Sequence, residues 1–320
     1  MPLTRIVVVR HSVRLDSIDK TWVYTSATPY DPPLAPEGEP IARQSGSHMK
    51  GHLSSFSKVY IHSSPFLRCA QTSALLASSI DKPAKIRLDG AFGEWLTSDY
   101  YSQMSPPPPD NHAQLACSSY NYLHNESKKN SNLTVDSTWP VTALGTSGEY
   151  DEPWTSMHNR FKHALTQLIS LYESEPEECA VIIVTHGAGC NALLGHLTNE
   201  PVLSRISVAS FAVAQRHPYG SHAWDIIYNS NNTESPRPRS SSFGVVPQLC
   251  GSGSNSASTS SSSVSDLAGS PPVTNFSPSV MLTSALQPDL SSFKTTKLAD
   301  QSTVDTTVDT SMYRFGSNRW

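Results

Sequence analysis

Two apolar runs that end in a histidine constrain this chain more than any other feature. Arg5-Ile6-Val7-Val8-Val9 passes into Arg10-His11, and Ala180-Val181-Ile182-Ile183-Val184 passes into Thr185-His186-Gly187. Neither run alternates with polar residues, so both read as strands buried on two faces, as in parallel sheets. Open α/β sheets place their ligands outside the carboxyl ends of such strands. Both histidines fall there, and Arg10 and Arg14 flank His11.

The remaining elements follow the same alternation. A helix is expected from about Pro36 to Gly51, with Ile41, Ser45 and His48 on one side. A strand follows at Lys58–His62, then Ser63-Ser64-Pro65 and a helix carrying Arg68, Thr72 and Leu75 to about Ser79. A short strand at Lys85–Leu88 leads into Gly90–Trp95. Residues 98–153 show no clean period and contain Pro106–Pro109, so an irregular insertion is expected there. Residues 21–36, rich in Pro, Thr and Asp, predict an irregular surface excursion. Trp154–Tyr172 is the clearest helix, with Phe161, Leu165, Leu168 and Tyr172 at helical spacing. A helix at Ala188–Leu197 and strands at Ser207–Gln215 and His222–Tyr228 complete the pattern. The expectation is an α/β three-layer sandwich, a mostly parallel central sheet flanked by helices.

Composition divides the chain of 320 residues. From about Asn229 onward it turns to Ser, Thr, Pro and Asn, which cannot bury enough apolar surface to offset the entropy of ordering. The reading is one domain over residues 1–228 and a disordered tail over 229–320. The aromatic and arginine cluster from Met312 to Trp320 is a candidate docking peptide for a protein partner. A net charge of −4 with no basic stripe gives no sign of direct nucleic-acid binding. No apolar stretch is long enough to span a membrane, and no signal-peptide pattern is seen. Five cysteines without metal spacing fit a reduced, intracellular chain, in cytoplasm or nucleus.

The residues that carry chemistry are Arg10, His11, Arg14, Arg68, Glu94 and His186. Each lies just past an expected strand or on the helix after it. A phosphoryl group spreads its charge over three oxygens, and arginine binds such oxygens in pairs while never losing its charge. Arginines nearby would also hold His11 neutral and nucleophilic. Glu94 suits protonation of a leaving oxygen, and His186 can donate to a phosphoryl oxygen. His48 and His52, four apart on a helix, have a metal-compatible spacing but no third ligand. His62, at a strand end, is expected to support the pocket from behind.

Arg10-His11-Ser12-Val13-Arg14, Ser64-Pro65-Phe66-Leu67-Arg68-Cys69-Ala70-Gln71-Thr72 and Thr185-His186-Gly187 resemble the three landmarks of the histidine phosphatase superfamily, the phosphoglycerate mutase-like proteins. Arg14-Leu15-Asp16, Asp31-Pro32-Pro33-Leu34, Gly93-Glu94-Trp95, Leu133-Thr134-Val135-Asp136 and Glu149-Tyr150-Asp151 are similar to the branch of the Sts phosphatases. That branch includes the phosphatase-like tau subunit of the RNA polymerase III initiation factor. The resemblance spans residues 5–228. It implies hydrolysis of a phosphomonoester, on a small molecule or a phosphoprotein, with His11 phosphorylated in turnover and no metal or other cofactor. It further implies Arg10, Arg14, Arg68 and His186 as the phosphate pocket and Glu94 as proton donor. The rival expectation is a weakly active or non-catalytic scaffold, such as a transcription-factor subunit. A mutase is disfavoured, because no second basic cluster would hold a bisphosphate. Ser12 stands where the family has glycine, and its Cβ would crowd the phosphate or its hydroxyl would donate to it.

Overall fold

A computed structural model describes residues 3–232, except 100, 103, 105–106, 109–110 and 218–222. All of them belong to one unit, Met1–Gly244. The tail expected from Asn229 lies, beyond residue 232, outside the described residues. In chain order the elements are β1 (Leu3–Arg10), α1 (Leu15–Ile18), α2 (Trp22–Thr25), α3 (Gly38–Leu53), β2 (Lys58–Ser63), α4 (Leu67–Ser79) and β3 (Ala84–Leu88). There follow α5 (Asn111–Ser127), β4 (Leu133–Val135), α6 (Trp154–Tyr172), β5 (Cys179–Thr185), α7 (Gly187–Thr198), β6 (Phe211–Arg216) and β7 (Trp224–Asn229).

The strands form one sheet in the order β4-β3-β2-β5-β1-β6-β7. The first five are mutually parallel, and β6 runs antiparallel to both β1 and β7. The mostly parallel sheet flanked by helices is therefore the architecture expected from the sequence. Its two faces explain the unbroken apolar runs. Ile6, Val8, Val181 and Ile183 pack with α6 and α7, while Val7, Val9, Ile182 and Val184 pack with α3, α4 and α5. Side chains alternate across a strand, so two apolar faces require an apolar residue at every position. Each such side chain, fully buried, contributes ~1.5–3 kcal/mol.

Three expectations need correction. Residues 98–153 are not irregular throughout, because they contain the 17-residue helix α5 and the edge strand β4, which pairs with β3. The prolines at 106–109 precede the helix. Its buried positions Leu115, Ser119 and Leu123 keep helical spacing, but the serine in the middle hides the stripe. Ser119 Oγ donates to the Pro65 carbonyl at 2.7 Å, which makes its burial tolerable. Residues 21–36 stay at the surface at first, with Tyr24 exposed, but turn inward at their end, where Tyr30, Asp31, Leu34 and Ala35 are all buried.

In α3 the buried face is Ala42, Gly46, Met49 and Leu53, not Ile41, Ser45 and His48. Gly46 carries no hydrophobic signal, yet a Cβ there would stand 2.7 Å from Ser79 Cβ. Glycine lets α3 and α4 approach closely, and a hydrophobicity pattern cannot report that.

Candidate active site

The carboxyl ends of β2, β5 and β1 lie side by side. His11 leaves β1 with its N–H donating to Thr185 O at 2.9 Å, and Ser64 leaves β2 with its N–H donating to Val184 O at 2.9 Å. His186 follows β5 and opens α7, while α4 begins at Leu67 and carries Arg68 in its first turn. Glu94 arrives from β3 through the short 3-10 turn Gly90–Phe92. Thus the sheet order gathers all six expected residues at one edge, although the first and last of them, Arg10 and His186, are 176 positions apart. A cleft of about 370 Å³ opens there, lined by Arg10, His11, Arg14, Glu94 and Trp95 among others. Arg68 and His186 lie fully buried beneath it.

His11 is almost wholly buried. Its Nδ1 is 2.7 Å from Ser12 O, and a carbonyl can only accept, so Nδ1 carries the proton and Nε2 the lone pair. Burial first, then the charge of Arg68 and the neighbouring His186, hold the ring well below its ordinary pKa. The imidazole is neutral at pH 7, for which burial is the larger cause and the arginine the second.

Glu94 binds the two deeper groups. Its Oε2 lies 3.0 Å from His186 Nδ1 and 3.2 Å from Arg68 Nη2. Burial raises its pKa, but His186 and Arg68 outweigh this and hold it well below the usual carboxylate range. His186 is pushed down to about 4, by burial above all. Arg68 is braced from the far side by Asp31, whose Oδ1 is 3.7 Å from Nη1 and accepts the Leu67 N–H at 2.9 Å. The Arg68 guanidinium also stacks 4.5 Å over Phe66.

Arg10 donates from Nη1 to Ile206 O, and its buried Nε has no hydrogen-bond partner among the described residues. Arg14 pairs through Nε with Asp16 at 2.9 Å. Ser12 does not direct its hydroxyl at the cleft. It donates to Gly38 O at 2.7 Å and stitches the end of β1 to the start of α3. Its φ is not among the positive values, so the turn does not demand glycine.

The ligating atoms of His11, Glu94 and His186 lie within 4.8 Å of one another, the one such set among the described residues. A metal ion would fit them by distance, but Arg68 already holds the carboxylate and repels a cation. The setting favours an anion. His48 is exposed, and His52 packs on Phe211 and Tyr228, so the two share no ligand. His62 lies under the β3 turn, its Nδ1 2.6 Å from Asp89 and its Nε2 2.7 Å from Tyr172 OH.

Sequence reasoning missed Asp31, Ser64 and Trp95 as parts of the site. All three stood inside motif fragments, but nothing in those fragments says what any of them touches. Trp95 lines the cleft with its Nε1 donating to Glu152 O at 2.8 Å. Ser64 is a buried hydroxyl beside His186.

Residues 6–114 match the family model of the histidine phosphatase superfamily (branch 1). No curated protein matches the chain. Among solved structures, the fold is similar to the ecdysone phosphate phosphatase of Bombix mori in complex with tungstate, at 18% identity and a TM-score of 0.51, covering 70% of this chain and 92% of that one. A mycobacterial glucosyl-3-phosphoglycerate phosphatase is similar at 16% identity and a TM-score of 0.43, over 70% of this chain and 98% of the other. No helix among the described residues is long and apolar enough to cross a membrane. Over residues 6–114 the chain is similar to the histidine phosphatase superfamily, branch 1, and His11 within that stretch lies at the carboxyl edge of the sheet.

Proposed function

We propose that this site hydrolyses a phosphomonoester through a phosphohistidine at His11. The phosphate sits among Arg10, Arg14, Arg68 and His186, whose charges and N–H groups balance its two negative charges. The His11 Nε2 lone pair forms a bond to phosphorus as the bond to the ester oxygen breaks. Glu94 gives its proton to that oxygen, which leaves as an alcohol. Water then attacks phosphorus, Glu94 takes its proton back, and inorganic phosphate departs from His11.

The observation that carries this reading is the state of His11: buried, neutral, its Nδ1 proton committed to Ser12 O, and Nε2 left with the lone pair. Glu94 poses an apparent conflict, because His186 and Arg68 hold its carboxyl well below the usual range. A bound phosphate dianion resolves it. The dianion takes over Arg68 and His186 and adds like charge beside the carboxylate, so the Glu94 pKa rises and the acid form becomes available. The tungstate bound by the Bombix mori phosphatase is an oxyanion of the same kind.

The test is turnover of an aryl phosphate by the full chain, with a quench into alkaline detergent to trap the intermediate. Wild type yields an acid-labile, base-stable phosphoenzyme, and His11→Ala yields neither label nor turnover. Equal turnover by His11→Ala would overturn the proposal. Wild-type binding of tungstate without turnover would instead support the scaffold reading.

A further inference from the structure

We propose that Ser64 is a positioning residue for His186, its hydroxyl holding the imidazole proton on Nδ1. This rests on the reading of His186 as a donor to the phosphoryl oxygen. His186 is wholly buried, and its two nitrogens face different chemistry. Nδ1 looks toward the Glu94 carboxylate at 3.0 Å, the place the phosphate would take. Nε2 looks away from it, toward Ser64 Oγ at 2.9 Å. The Ser64 oxygen accepts the Phe66 N–H at 3.4 Å, and its own proton has Nε2 within hydrogen-bond reach. Cys69 Sγ, 3.7 Å from Nε2, remains a thiol because burial pushes its pKa up to about 12, and its S–H is directed at Thr185 O, 3.9 Å away. Nδ1 also lies 3.3 Å from Arg68 Nη2, but that group donates to Glu94 Oε2 at 3.2 Å, so the carboxylate is the acceptor beside Nδ1 and the Ser64 hydroxyl the donor beside Nε2, which together assign the tautomer. The reverse tautomer would set the Nδ1 lone pair against a carboxylate.

While Glu94 is ionised, it could fix the tautomer alone. Ser64 becomes decisive once Glu94 carries its proton, as the first step requires. A His186 with a bare Nδ1 would then accept the Glu94 proton and divert it from the leaving oxygen. By occupying Nε2, Ser64 keeps Nδ1 a donor, so the Glu94 proton has one destination.

The experiment uses the full chain labelled with 15N-histidine, at pH 7.5, where the protonated and bare ring nitrogens give separate resonances. The His186 pair is assigned by its loss in His186→Ala. Wild type and Glu94→Ala should both show Nδ1–H. Adding Ser64→Ala to Glu94→Ala should shift the tautomer ratio toward Nε2–H by roughly fivefold, the scale of one hydrogen bond. Nε2–H in Glu94→Ala alone would overturn the proposal without any change at Ser64, and so would Nδ1–H retained in the double variant. Ser64→Thr, which keeps the hydroxyl, should keep Nδ1–H. Ser64→Ala alone should lower kcat more than it raises KM. If the tautomers behave as stated but wild type neither turns over an aryl phosphate nor binds tungstate, the phosphate reading fails and the hold of Ser64 on His186 stands.

Discussion

Asp31→Asn is the substitution whose outcome the structure decides most sharply. Asp31 is buried behind Arg68, and burial raises its pKa from the ordinary 3.8 to about 6, although Arg68 and the Leu67 N–H both pull it down. A carboxyl raised in the folded state opposes folding when ionised. The penalty is absent below about pH 4, grows as pH rises toward 6, and is complete above it. At ~1.4 kcal/mol per pH unit, a rise from 3.8 to about 6 amounts to ~3 kcal/mol. Asparagine resembles the protonated acid and keeps a carbonyl oxygen for the Leu67 N–H. Urea and thermal unfolding should therefore show the variant equal to wild type near pH 4. At pH 8 it should be more stable by up to ~3 kcal/mol, or ~6–12 °C in Tm for a domain of this size. A variant that is less stable at pH 8 would refute the reasoning. It would mean that attraction to Arg68 outweighs burial and that the ionised pair is a net stabiliser.

Three further substitutions test neighbouring parts of the argument. Arg68→Ala should lower kcat/KM by about 10²–10³, more than Arg68→Lys, which keeps the charge but not the paired donors. It should also cost ~3 kcal/mol of stability, because Asp31 and Glu94 lose their partner, and full activity with lysine would sink the paired-donor model. Ser12→Gly should cost ~1–2 kcal/mol, since the bond to Gly38 O is lost and backbone freedom is gained. Its turnover should hold, and a loss of roughly tenfold with the fold intact would mean that the hydroxyl reaches the phosphate after all. Gly46→Ala should destabilise by ~1–3 kcal/mol, because the new Cβ meets Ser79 at 2.7 Å, even though alanine is the better helix former. A rise in Tm would show that α3 and α4 have room to separate.

Much of the architecture was legible in the chain because its strands are buried on two faces. Such strands must be apolar at every position, so β1 and β5 stand out, and the residues just beyond them are placed at the ligand edge by the same fact. His11 and His186 follow from that alone, and Trp154–Tyr172 from its helical spacing. What stayed hidden has a common cause: the contact that matters is made by a residue whose own type gives no periodic signal. Ser119 interrupts the stripe of α5, Gly46 marks a helix approach, and residues 28–35 look polar while their chain folds inward. The crossover that inserts β5 between β2 and β1 is a property of the whole sheet. It brings Ser64 beside His186, and the chain reaching inward through Asp31 sets a carboxylate behind Arg68. The residue types pointed toward an anion. Which nitrogen holds a proton, and which carboxylate is forced to give up or keep its charge, depends on burial and on neighbours distant in sequence, and only the tertiary structure decides those.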